Sequence, residues 1–149
     1  MEILEFTREM IPDVIDFEHR LRVEEPFYSW DIDEAYQKRV EATFEDSRFA
    51  NAISLLACEN GKVVGRIDGT ILASRFDGSV NGYLDWICVV KSSRHVGIAQ
   101  ALLAELRCRM RQAGAIQIIA LMAVNEEAQR FYRAVEGASI HDEGIWIDL

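Results

Sequence analysis

Arg94-His95-Val96-Gly97-Ile98-Ala99 is the stretch of this chain best suited to chemistry. It lies where an apolar strand, Tyr83 to Val90, gives way to an amphipathic helix, Ile98 to Ala113. The first backbone N–H groups of a helix have no intrahelical partner, and the helix dipole adds partial positive charge there. A glycine in such a loop removes the side chain that would keep an anion off the backbone. The pattern suits a small-molecule phosphate or pyrophosphate, although an ordinary strand-to-helix connection would read the same way. Asp85 is a second candidate, because it interrupts the apolar run from Tyr83 to Val90. A carboxylate there must face a cleft or be paired, since burial without a partner is costly. It is either a base or amine-binding group, or an edge aspartate paired with an arginine. Leu21 to Glu34 is a third, where Glu24, Glu25, Asp31 and Asp33 alternate with Phe27, Tyr28 and Trp30. Carboxylates beside aromatic faces suit a polycationic amine through ion pairing and cation–π contact. A loop docked by its aromatics, with its acids in water, explains them more simply.

The elements that must position these residues follow from periodicity. Ile3 to Phe6 alternates as a short strand, and Ile11 to Arg22 repeats its apolar positions at helical spacing with Pro12 at the start. Asp33 caps a second helix to about Phe44, with Ala35, Tyr36, Val40 and Phe44 as its inner face. Ala52–Cys58 and Lys62–Ala73 are strands joined by the Asn60-Gly61 turn. Phe76-Asp77-Gly78 turns into the strand that ends at Val90. Ile98, Leu102, Leu106 and Met110 form one helical stripe, closed by Gly114. Asn125 opens a helix ended by Gly137, and Ala138–Ile140 with Ile145–Leu149 form a last hairpin. The class is α+β: a mixed, mostly antiparallel sheet flanked by helices. Arg66 and Asp68 share one register of the hairpin strand; they reach an acceptor, or mark an exposed strand face.

At 149 residues the chain is expected to form a single domain, residues 1–149, large enough for a proper core. Half of it is hydrophobic and 28% charged, as in a globular protein. No run approaches a membrane span, and Glu2, Glu5, Arg8, Glu9 and Asp13 come too early for a secretory signal, so the expected location is cytoplasmic. Cys58, Cys88 and Cys108, each in an apolar pattern, and the scattered His19, His95 and His141 argue against a disulfide framework or metal site. The net charge of −9 argues against nucleic acid, which needs a basic patch; it is compatible with a cationic acceptor, although solubility alone explains it more simply.

Residues 94–99 fit Gln/Arg-x-x-Gly-x-Gly/Ala, the acetyl-CoA motif of the GCN5-related N-acetyltransferase (GNAT) superfamily. The chain resembles that family further on. Leu84–Val90 looks like its fourth strand, Ala115–Val124 like its fifth, and Asn125-Glu126-Glu127-Ala128-Gln129-Arg130-Phe131-Tyr132 like its Asn-x-x-Ala-x-x-Phe-Tyr helix. The specific match runs from about residue 83 to 137; the N-terminal half fits as a pattern only. Lys91 stands where many members have proline, and Ala138 where phenylalanine is usual, which puts loop shape in question more than cofactor binding.

The resemblance implies transfer of an acetyl group from acetyl-CoA to a primary amine by direct attack in a ternary complex, with no metal. It implies fourth and fifth strands that splay to admit the pantetheine, held by Ile87, Cys88 and Val89 in the manner of an added strand. Amides of His95, Val96, Gly97, Ile98, Ala99 and Gln100 would hold the pyrophosphate, with the Arg94 cation near a phosphate, and Asn125 would cap its helix, bond the pantetheine, or both. Arg94 is as well read as a solvated loop arginine as a phosphate partner. Tyr132 matches the usual general acid; a phenol with a pKa of about 10 stays protonated at neutral pH and can donate to a thiolate. Asp85 resembles a shorter version of a glutamate found in several polyamine and aminoglycoside acetyltransferases, suited to act through a water. Glu24, Glu25, Phe27, Tyr28, Trp30 and Asp85 would meet a small cationic acceptor. An acetyl-cysteine on Cys88 is set aside, since no histidine is placed to activate it. The alternative class is a CoA-binding regulatory or interaction module without turnover. A dinucleotide redox domain lacks its Gly-x-Gly-x-x-Gly spacing. Members of the family often form homodimers, for which the C-terminal hairpin offers a surface.

Overall fold

The computed structural model describes residues 1–25, 30–141 and 144–149. Its elements are β1 (Glu2–Glu5), α1 (Ile11–Glu24), α2 (Glu34–Thr43), β2 (Ala52–Glu59), β3 (Lys62–Ala73), β4 (Val80–Val89), α3 (Ile98–Gln112), β5 (Ile118–Ala120) and α4 (Glu126–Arg133). Cα packing divides the chain into two compact units, residues 1–119 and 120–149.

The sheet has five strands in the order β1-β2-β3-β4-β5. The pairs from β1 to β4 are antiparallel, and β5 runs parallel to β4. The β2–β3 hairpin turns at Asn60 and Gly61, both at positive φ, as the Asn-Gly signal requires. The expected fifth strand is shorter than the apolar run from Ala115 to Val124, covering Ile118–Ala120 only. A continuous apolar run carries no alternation to mark where pairing stops. Its approach is fixed by Ile116 N–H donating to the Val80 carbonyl and Gly82 N–H to that of Gln117.

In the C-terminal unit α4 ends at Arg133, not at Gly137. The expected hairpin of Ala138–Ile140 with Ile145–Leu149 does not form among the described residues, where these segments carry no strand. Apolar residues make a strand only when a partner satisfies their backbone groups.

Cross-strand register assigns the faces of the central strands. Gly65, Ile67 and Gly69 of β3 point to α3: a Cβ at Gly65 would meet Ile98 and Leu102, and one at Gly69 would meet Met110. Gly82 of β4 takes the other side of Met110, whose Sδ would lie 2.2 Å from an added Cβ. Two glycines on neighbouring strands thus make a notch for one methionine. Ile98, Leu102, Leu106 and Met110 are buried there, as their stripe requires. The opposite face of β3 carries Arg66 and Asp68 and receives Glu18 of α1. Val14, Phe17 and Leu21 of α1 are fully buried, each contributing about 2 kcal/mol of transfer free energy.

One irregularity shapes the site. Asp68 pairs with Trp86 but Gly69 with Leu84, so Asp85 has no partner on β3 and forms a β-bulge.

Candidate active site

The turn between β4 and α3 is built from local backbone chemistry. One turn of 3-10 helix, Lys91–Ser93, leads into Arg94 with extended backbone. His95 (φ 64) and Gly97 (φ 89) are both left-handed. Among the described residues, the backbone N–H groups from His95 to Gln100 make no hydrogen bond; the first bonded amide is Ala101, to Gly97 O at 3.0 Å. His95, Val96 and Gly97 are exposed, and nothing lies within 4 Å of where a Gly97 Cβ would project. Unpaired amides, a helix N-terminus and open space together fit a diphosphate. Glycine at 97 answers a backbone demand in the first place, since φ there lies where L side chains rarely go.

Arg94 is neither a free loop arginine nor aimed at the open space. Its Nε donates to Val89 O at 2.8 Å and its Nη1 lies 2.5 Å from Glu25 Oε1. Glu24 accepts from Ser92 N–H at 3.0 Å and from the Ser92 hydroxyl at 2.9 Å. Partial burial would raise the Glu24 pKa, but these Ser92 bonds prevail and hold it below the ordinary glutamate value. Glu24 and Glu25, expected at the acceptor, therefore lie against the turn. Ile87 is half-buried; Cys88 and Val89 are buried in β4.

The second feature is a cleft of about 1040 Å³ under α2, lined by residues of α1, α2 and the sheet. None of α2's side chains is fully buried; Tyr36, Val40, Thr43 and Phe44 form one wall instead. Asp33 caps α2 as expected, accepting from Tyr36 N–H at 2.7 Å. On the sheet side the bulge lets Tyr83, Asp85 and Trp86 all line the cleft, which strict alternation would forbid. Trp30 meets Trp86 edge to face at 5.5 Å, so of the aromatics expected at the acceptor Trp30 does reach the cleft. Phe27 and Tyr28 fall outside the described residues.

Beneath Asp85 runs a chain of ion pairs. Arg66 Nε lies 2.7 Å from Asp68 Oδ2, and the two side chains are only 14% and 15% exposed. They are a buried pair, not an exposed strand face. Ser54 donates to Asp68 at 2.6 Å. Arg66 also reaches Glu18 at 3.5 Å and sits over the Phe6 ring at 5.2 Å. Glu18, 2% exposed, pairs with Arg22 at 2.7 Å, and Arg22 covers the Trp30 ring. Asp85 itself is exposed and has no ion pair among the described residues. Partial withdrawal from water and then the nearby Asp68 carboxylate raise its pKa above the ordinary aspartate value, with Arg66 pulling the other way. Tyr36, partly buried and near Glu18, is pushed up as well. An unpaired carboxylate among aromatic rings can hold an ammonium group and take a proton.

The Acetyltransferase (GNAT) family matches residues 16–136. The chain belongs to that family. It is an acetyltransferase by membership; the turn lies within the matched segment, as does the cleft apart from Glu5 and Phe6. No curated protein matches it by sequence. Solved structures share its fold. An aminoglycoside acetyltransferase, meta-AAC0020, from an uncultured soil metagenomic sample, in complex with sisomicin, is 15% identical with a TM-score of 0.81, covering 99% of this chain and 95% of that one. A ribosomal-protein-alanine N-acetyltransferase from Brucella melitensis biovar Abortus 2308 is 17% identical (TM-score 0.75; 99% and 100% covered). A transcriptional regulator from Bacillus halodurans C-125 is 19% identical (TM-score 0.80; 99% of each). At these identities the likeness is one of fold.

The GNAT helix motif is α4 of the C-terminal unit. Asn125 is its N-cap, with Oδ1 accepting from Ala128 N–H at 2.8 Å. Tyr132 is half-buried, its ring edge to face with Phe131 at 5.3 Å. Among the described residues no cluster of His, Cys, Asp and Glu could hold a metal, and no helix is long and apolar enough to cross a membrane.

Sequence reasoning passed over Glu18, Ser54, Phe6 and Tyr83. Glu18 had a signal: it stands four residues after Val14 and three before Leu21, within the helix stripe that is otherwise apolar. The bulge had none, for neither Gly nor Pro marks residues 84–87.

Proposed function

We propose that this GNAT protein moves an acetyl group from acetyl-CoA to a primary amine of a small cationic acceptor, of polyamine or aminoglycoside type. The run of unpaired amides at the left-handed Gly97 carries the reading, because it is what a diphosphate needs. The acceptor is inferred from the unpaired Asp85 beside Tyr83, Trp86 and Trp30. Asp85 holds the amine and removes its proton, directly or through a water. The neutral nitrogen attacks the thioester carbonyl, the amide bond forms, and the C–S bond breaks. Tyr132 gives its proton to the departing thiolate, and water restores it. Cys88 takes no covalent part. A small-molecule acceptor fits the cleft's volume and aromatic lining.

The test is thiol release from acetyl-CoA across spermidine, aminoglycosides, amino acids and peptides. Spermidine or an aminoglycoside should release thiol fastest. Release with peptides alone would overturn the acceptor, and CoA binding without release for any amine would favour a non-catalytic module. Tyr132→Phe should lower kcat by about 100-fold with CoA affinity unchanged; an unchanged kcat at neutral pH would remove Tyr132 as the acid.

A further inference from the structure

The last turn of α1 holds one cation, Arg22, but ends on two acids. The C-terminal end of a helix carries partial negative charge and favours cations, yet Glu24 is the final residue of α1 and Glu25 its cap. Glu25 is 9% exposed, and a carboxylate so placed is costly unless it is paired. Both acids find their partners in one place, the turn between β4 and α3. Glu24 takes the amide and hydroxyl of Ser92, and Glu25 takes the guanidinium of Arg94. Arg94 then closes the turn on itself through the Val89 carbonyl. The next residue is His95, in a left-handed conformation that is unfavourable for a non-glycine residue. Such a conformation persists only where its surroundings over-determine it. Here they do so from outside the turn, across 68 and 69 residues of sequence.

We propose that Glu24 and Glu25 are positioning residues that clasp Ser92 and Arg94, hold the turn with its amides open, and so set the affinity for CoA without touching it. This rests on the reading of that turn as the diphosphate site. The clasp gives Arg94 a role too: it serves the anion from behind, by fixing the backbone. It also explains two glutamates at a helix end that local electrostatics would not choose. Neutralising either one loosens the turn while leaving the hydrophobic contacts of α1 in place.

Calorimetry with CoA on the intact protein tests it. Glu25→Gln should weaken CoA binding about tenfold, since a neutral amide pairs poorly with a guanidinium, and Glu24→Gln should weaken it about threefold. Arg94→Gln should cost much in the wild-type background and no more than twofold in Glu25→Gln, because one partner is already lost. Hydrogen exchange of the bonded amides at the turn, Ser93, Arg94 and Ala101, should quicken in Glu25→Gln, with the far-UV circular dichroism unchanged. Should Glu25→Gln fail to fold, Ser92→Ala at an exposed position carries the same test, with about threefold weaker binding expected. Unaltered affinity and exchange in variants of a wild type that binds CoA would overturn the clasp. A wild type that does not bind CoA would instead overturn the diphosphate reading itself.

Discussion

The turn after β4 and the cleft under α2 are built by opposite means. The turn is a backbone device: its open groups are amides, and its defining residue is a glycine at φ 89. The cleft is a side-chain device: Glu18, Trp30, Arg66, Asp68 and Asp85 come from α1, the segment before α2, β3 and β4, and only sheet register brings them together. A backbone device tolerates change in most of its side chains and fails at one or two positions. A side-chain device tolerates change at its rim and fails where buried charges depend on one another.

The largest effect should follow from breaking the turn. Gly97→Val puts a β-branched side chain at a left-handed position and should weaken CoA binding by at least about 100-fold, with little loss of fold because the site is open. Wild-type affinity in this variant would mean that the turn is not a backbone device. Next comes the ion network. Arg66→Met leaves Asp68 withdrawn from water without its cation and should lower stability by about 3 kcal/mol, read as a reduced urea midpoint at unchanged m. CoA binding should change little, which separates the two devices. If CoA affinity fell as far as stability, the contrast between turn and cleft would be lost.

The smallest effect is the most diagnostic. Asp85→Asn should lower turnover about tenfold yet raise the thermal midpoint at pH 7 by about 1 °C. The sign follows from linkage: the pKa of Asp85 is raised in the folded protein, so its favourable contribution is complete below the unfolded pKa and lost as pH rises through the folded one. The stabilisation by Asn should therefore vanish in strong acid. In the wild type, kcat/KM should rise with pH through an apparent pKa above that of ordinary aspartate. A neutral-pH stability loss in Asp85→Asn would assign Asp85 a structural pairing instead.

The same contrast decides what could be read in advance. Asn60-Gly61, the Asp33 cap, the Ile98–Met110 stripe and Gly97 are local signals, and each matches its element. The cleft was legible in fragments. Asp85 stood out as a charge in an apolar strand, but its aim depends on a bulge that no residue type announces. Arg66 and Asp68 read equally as acceptor contacts or as an exposed face, because alternation cannot show what covers a strand. The charge of Glu24 and Glu25 suits either an acceptor or plain solvent, and neither reading points to their partners at Ser92 and Arg94. The end of β5 and the C-terminal segments were least legible, since apolar residues there promise strands without naming a partner.

Met110, seated in its notch between Gly69 and Gly82, has a reach beyond its own neighbourhood. It lies about 18 Å along the α3 axis from Ile98, so the helix is a lever with its fulcrum at one end and the open amides of the turn at the other. A single methyl group added at Gly82 would tilt that lever and displace the far end, and on the function proposed above the injury would surface as a weaker hold on CoA. Oxidation of the same sulfur, were it ever uncovered, would do likewise.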